Sequence, residues 1–149
     1  MNKSTRYIES ALLILLVFIY GFMTYQRNLV WKDDVTLWTD NVKKAPANAR
    51  AYEYLGLAYQ NAGDIDRAIE EYKKSLILNP FQPDVHNNIG VSYFYNGETD
   101  AAIRHFRHAL SINPSHRDAH YNLGIAYGEK GLLDLAEEEI RKGMQLPMH

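Results

Sequence analysis

The chain has 149 residues, 46% of them hydrophobic, with 16 basic and 18 acidic side chains, a formal net charge of −2 and no cysteine. A disulfide framework, thiolate metal sites, a thiol nucleophile and haem attachment through cysteines are thereby excluded. No field of one sign marks a nucleic-acid binder, so nucleic acid is not an expected partner.

The first element is apolar. Residues 10–25 read SALLILLVFIYGFMTY without a charge, and extension back to Tyr7 gives 19 residues interrupted only by Glu9. A helix of that length spans roughly 28 Å, close to the ~30 Å hydrocarbon core of a bilayer. Tyr7, Tyr20 and Tyr25 lie toward its ends, where amphipathic rings favour the headgroup layer. The run closes on bulky residues, Phe22 to Gln26, which does not suit signal-peptide cleavage. Apolar side chains all round the helix do not suit a place beside solvent. Residues 1–27 therefore read as a retained anchor, with residues 7–26 in the membrane. Lys3 and Arg6 before the span balance Arg27 and Lys32 after it, so basic residues alone leave the orientation open.

Residues 28–48 follow. Trp31, Val35, Trp38 and Val42 fall at i, i+4, i+7 and i+11, one apolar helical face. Pro46 closes the segment as Pro80 and Pro114 close later ones. The segment reads as the second helix of a half-repeat that covers the open edge of the next unit.

From residue 49 onward the chain repeats itself. Gly56, Gly90 and Gly124 are 34 residues apart, as are Tyr59, Tyr93 and Tyr127, then Gly63, Gly97 and Gly131, then Ala68, Ala102 and Ala136. Gly56 removes a side chain where a paired helix must approach closely. Gly63 ends a helix with the positive φ that glycine tolerates, and Asp64 or Asp66 caps the next one. Ala68, Tyr72 and Ser75 then form a packed stripe. The tyrosine ladder reads as core rather than as a cofactor site.

This multi-position pattern resembles the tetratricopeptide repeat. The resemblance implies three units, 49–82, 83–116 and 117–149, in an all-α, right-handed α-solenoid of helix hairpins preceded by one transmembrane helix. Unit three departs from it, with Gly143 where Ser75 and Ala109 stand and Pro147 one residue early. Its second helix is expected to be looser or shorter. The stretch RNLVWKDDVTLWTDNVKKAPANARAYEYLG also resembles the junction in polytopic glycosyltransferase-like membrane proteins where the last membrane helix meets an extracytoplasmic repeat array. That resemblance implies an N-terminus inside and a solenoid outside, periplasmic rather than cytoplasmic.

The repeat resemblance further implies that the first helices line a concave groove. Its candidate partner-binding residues here are Glu53, Leu57 and Gln60, then Asn87, Val91, Phe94 and Tyr95, then Tyr121, Ile125 and Glu129. Leu57, Val91 and Ile125 suit either a groove floor or packing within the chain, whereas Tyr95 and Tyr121 favour binding. Some members of the family grip a C-terminal carboxylate with Lys and Arg at these positions. Glu53, Asp84, Asp118 and Glu129 stand here instead, favouring a basic or neutral ligand.

Six histidines raise the question of a metal. His105 and His108 are three apart, and His116 and His120 four apart, a spacing that can bridge a metal on a helix. Yet His86 and His120 occupy a packed register, His105 and His108 are expected to face solvent, and no carboxylate completes a ligand set. No metal and no cofactor is expected. Phosphate loops, Gly-x-Ser-x-Gly elbows and His-Glu-x-x-His motifs are missing, so an enzyme is not expected either. The function these features point to is a single-pass, membrane-anchored scaffold that binds protein or peptide partners, envelope subunits above all, in assembling or organising a complex. The alternatives are a structural subunit that forms a homo-oligomer through its C-terminal edge, and an accessory to a membrane glycosyltransferase.

Overall fold

The computed structural model describes the backbone of residues 3–146 and the side chains of residues 12–23 and 34–146. Among the described residues every regular element is a helix: α1 (Lys3–Lys44), α2 (Ala49–Asn61), α3 (Ile65–Leu78), α4 (Pro83–Tyr95), α5 (Thr99–Ile112), α6 (Arg117–Glu129) and α7 (Leu133–Gln145). Each packs on the next in sequence, and α4 also touches both α2 and α6. Among the described residues, α3, α5 and α7 stay apart from one another. First helices crowded together and second helices splayed apart make an α-solenoid, with α2, α4 and α6 along its inner face.

The hairpin turns follow from three glycines. Gly63, Gly97 and Gly131 hold φ at +84°, +77° and +73°, a region costly for any residue with a Cβ. The residue after each glycine bonds back across the turn: Asp64 N–H to the Tyr59 carbonyl, Glu98 N–H to Tyr93 and Leu132 N–H to Tyr127, all at 2.9 Å. The glycine amides reach Gln60, Phe94 and Gly128. This is the Schellman arrangement, which satisfies the last carbonyls of each first helix. Beyond the first turn Asp64, not Asp66, caps α3, accepting from the Arg67 amide at 3.2 Å.

Inside each hairpin the second glycine register sets the spacing. A Cβ on Gly56 would lie 2.6 Å from the Tyr72 ring, one on Gly90 2.5 Å from the Phe106 ring, and one on Gly124 2.6 Å from Ile140 Cγ1. Tyr72 and Phe106 are buried outright in the space so created. Two apolar clusters join the hairpins. Ala68, Tyr72, Val85 and Ile89 link the first to the second, and Ala102, Phe106, Leu123 and Ala126 the second to the third. Tyr59, Tyr93 and Tyr127 lean against these clusters, part of the core.

The third hairpin is thinner. Helix α7 has 13 residues against 14 in α3 and α5, and buries Ala136 and Gly143. Gly143 sits hard against α6, where a Cβ would come within 3.1 Å of the Arg117 carbonyl oxygen. Pro147 lies outside the described residues.

At the other end, stem and cap belong to one 42-residue helix, α1. Val35, Trp38 and Val42 are half-buried in the part that packs on α2, and the Trp38 ring stacks on Tyr54 at 4.6 Å. The side chain of Trp31 lies outside those described. Leu12 to Met23 are exposed throughout. Among the described residues no helix is long and apolar enough to cross a membrane, and the expected span, residues 7–26, lies partly outside the described side chains.

The Gly90 contact gives a stability test. The Phe106 ring is buried and three of its carbons would lie within 3.1 Å of the added Cβ, so Gly90→Ala should cost about 1–3 kcal/mol through overpacking. Urea denaturation of the two proteins side by side checks this, and an unchanged midpoint would show that the helices separate freely.

Candidate functional site

The inner face is built by α2, α4 and α6, and its candidate residues divide into two groups. Leu57 (37% accessible), Ile125 (39%), Tyr121 (49%) and Tyr95 (72%) present side chains to solvent, as does Glu129. Leu57 and Ile125 stand two repeats apart in the same register of α2 and α6, and Tyr95 and Glu129 one repeat apart at the ends of α4 and α6.

The second group is committed to the scaffold. Gln60 Oε1 accepts from the Tyr72 hydroxyl at 2.9 Å and from Ser92 Oγ at 3.2 Å, joining the first unit to the second. Asn87 is buried, and its Oδ1 accepts from Asn122 Nδ2 at 2.9 Å, joining the second unit to the third. Val91 and Phe94 are partly buried against the cluster around Phe106. Sequence reasoning missed this structural use of Gln60 and Asn87, and their partners Ser92 and Asn122 stand 32 and 35 residues away.

The groove's acidic side chains differ in setting. Glu53 is half-buried, and burial followed by the charge of Asp84 raises its carboxyl above the usual range, against the pull of Arg50. Asp84 accepts from His116 Nε2 at 3.0 Å. That tautomer is fixed, because His116 Nδ1 caps α6 by accepting from the Ala119 amide at 3.2 Å.

His86 and His120, on the first helices α4 and α6, face the second helices α5 and α7 of their own hairpins. His120 is buried, with Nε2 3.0 Å from the Pro114 carbonyl and Nδ1 2.6 Å from Glu139. Burial pushes the Glu139 carboxyl up, but its bonds to Lys142 and His120 outweigh this and hold it low. One repeat earlier, His86 is buried with Nδ1 3.4 Å from His105 Nδ1, and the His108 ring lies 4.2 Å from that of His86. His108 is exposed as expected, but the expectation for His105 is corrected. It is half-buried in the α4–α5 hairpin, its ring 5.5 Å from that of Tyr93. The signal was present in the register: Glu71, His105 and Glu139 share one position of the repeat, and all turn toward their own hairpin. Burial first, then the charges of His86 and His108, brings the His105 imidazole down to about 4. Burial and the charge of His108 lower His86, against a hydrogen bond with Pro80. Among the described residues no group of three or more His, Cys, Asp or Glu side chains could hold a metal ion.

Family models for the TPR repeat match residues 61–97 and 92–131, and one for the tetratricopeptide repeat matches residues 118–147. Protein O-mannosyl-transferase Tmtc3 of Drosophila melanogaster is 29% identical over 83 residues, 56% of this chain and 9% of that protein. The match thus spans less than a tenth of that relative's length. Among solved structures, the crystal structure of MamA aligns with a TM-score of 0.73 and 28% identity over 83% of this chain and 72% of that one. The second TPR of Spaghetti (RPAP3) bound to HSP90 peptide SRMEEVD aligns with a TM-score of 0.65 and 20% identity over 66% of this chain and 92% of that one, a likeness of fold alone.

The lowered imidazoles set a pH dependence. The unfolded chain takes up protons on His86 and His105 near the ordinary value of 6.5, whereas folded His105 resists them down to about 4. Stability from these groups is therefore present above pH 6.5 and lost as the pH falls toward 4. Lys73 and Arg104 face His105 and add to the effect. Thermal melts across that window should show a falling midpoint, with a shallower fall in His105→Gln. Parallel curves for the two proteins would refute the assignment.

Proposed function

Because the chain belongs to the tetratricopeptide-repeat family, whose members act as scaffolds for other polypeptides, we propose that it is a membrane-anchored scaffold recruiting a protein partner to assemble or organise an envelope complex. The observation that carries this reading is the division within the inner face. Gln60, Asn87, Val91 and Phe94 make contacts that join the units, while Leu57, Tyr95, Tyr121 and Ile125 present exposed side chains. Aromatic and aliphatic side chains held out on a rigid frame suit a partner segment or helix, because little ordering entropy remains to be lost. Glu53, Asp84, Asp118 and Glu129 on the same helices favour a basic or neutral ligand. The proposed chemistry is binding, with no catalytic step and no cofactor.

The anchor is the second part of the proposal. Leu12 to Met23 form an unbroken exposed run of mostly large apolar side chains, more than a water-facing helix carries without a cover. Lipid is that cover in this reading, with residues 7–26 in the bilayer, the N-terminus inside and the array on the periplasmic side. The junction resemblance supports that side. A narrower version makes the chain an accessory to a membrane glycosyltransferase, favoured by the match to an O-mannosyl-transferase. Self-association through the C-terminal edge draws support from Leu133 and Met144, about 70% accessible on α7, and light scattering of the full chain decides it.

Crosslinking in native membranes followed by purification identifies the partner. Tyr95→Ala and Tyr121→Ala should each weaken its capture about tenfold, roughly 1.4 kcal/mol. Ile77→Ala, on the outer helix α3, should leave it unchanged. Equal recovery with all three variants would remove the inner face from the account. Protease should reach the array only from the outer side of sealed vesicles, and digestion restricted to the cytoplasmic side would reverse the orientation.

A further inference from the structure

The direction of α1 fixes which edge of the array looks along the stem. Trp38 stacks on Tyr54, and α1 passes into α2 through a tight turn in which the Asn48 amide donates to the Ala45 carbonyl. The two helices therefore run antiparallel. Seven residues back from Trp38 and seven forward from Tyr54 place residue 31 and Asn61, the end of α2, at one level. From that level α1 continues away from the array, and Tyr25, which closes the uncharged run, stands about 9 Å further along the helix. The chain reverses at every later turn, so the hairpin turns after α2, α4 and α6 share the edge that faces the stem. Phe81, between α3 and α4, lies on the opposite edge.

The three turns on the stem-facing edge differ in chemistry. One register holds Asp64, Glu98 and Leu132, and the next holds Ile65, Thr99 and Leu133. Asp64 caps α3 through the Arg67 amide, whereas Leu132 holds the cap position of α7 with no side-chain bond to offer. An apolar residue there forgoes the stabilisation a polar cap gives. Neither leucine recovers it by burial, since Leu132 is 43% and Leu133 70% accessible.

Resting on the reading of residues 7–26 as a bilayer span, we propose that Leu132 and Leu133 are a second point of membrane contact, seating the third hairpin in the lipid headgroup layer beside the stem. Reach supports this occupant. The headgroup layer is about 5–8 Å deep on each side, and the turns project from the level of Asn61 toward it. Charge narrows the lipid. Asp64 and Asp100 near the first two turns are paired with Arg67 and Lys130, while Asp66, Glu98 and Asp134 add further negative charge on the same edge. Anionic headgroups are repelled by that balance, and a zwitterionic surface fits it. Leucine side chains can enter such an interface without any basic partner. With two contacts the array lies against the membrane.

The chain has no cysteine, so a single nitroxide label can be placed at will. Full-length Leu133→Cys and Phe81→Cys, each labelled, are incorporated into phosphatidylcholine vesicles. Collision with oxygen, which concentrates in lipid, is then compared with collision with a water-soluble nickel chelate by electron paramagnetic resonance. The label at position 133 should lose access to the chelate and gain access to oxygen. The label at position 81, where the native side chain is 78% accessible, should remain open to the chelate. If Leu133→Cys loses helicity by circular dichroism, Leu132→Cys carries the same readout. Equal chelate access at both edges, in vesicles that retain the chain after alkaline washing, overturns the proposal while leaving the anchor in place. A chain released by that washing overturns the anchor and this inference together. A label at 133 shielded from both reagents, and freed when the protein is diluted in lipid, puts a second copy on the leucines and likewise overturns the proposal.

Discussion

Two helices can enclose a whole aromatic ring only where one of them gives up its own side chain. Gly56 and Gly90 do this for Tyr72 and Phe106, and Gly124 does it for Ile140. The rest of the array depends on that clearance. Tyr72 and Phe106 are core to their own hairpins and also reach the joints, where Val85 and Ile89 close over one and Leu123 and Ala126 over the other. A repeat of this size cannot bury its apolar face alone, so each ring serves two hairpins and couples them. The first helices are drawn side by side, and the inner face appears as a result of packing elsewhere.

Much of this was legible because the constraint recurs. A glycine required for clearance, a second required for positive φ and an alanine five residues after it mark every hairpin at one period. Side-chain volume and backbone conformation are local properties, readable residue by residue. The cap was legible for a similar reason, since Val35, Trp38 and Val42 lie on one apolar stripe, although only the structure shows Trp38 stacked on Tyr54.

What stayed hidden were the polar contacts between units. Gln60 and Asn87 occupy positions that face a ligand in other arrays, and nothing in their own helices distinguishes binding from bracing. Ser92 and Asn122 supply the bracing partners from the next repeat. His105 was misplaced for a related reason. A polar residue on an outer helix suggests solvent, but the same helix also has an edge that folds back on its partner. The register shared by Glu71, His105 and Glu139 carried that information, and it becomes visible only when the units are superposed.

The continuity of α1 has a mechanical consequence. From Lys3 to Lys44 the backbone is a single helical rod, on the order of 63 Å long at 1.5 Å per residue. Its far end is clasped to the array, so no swivel separates stem from scaffold. Inserting one residue midway would lift the array by only about 1.5 Å but swing its inner face through about 100°. Whatever grips the stem thus dictates the compass bearing of the inner face, and a neighbour would meet that face from one azimuth only.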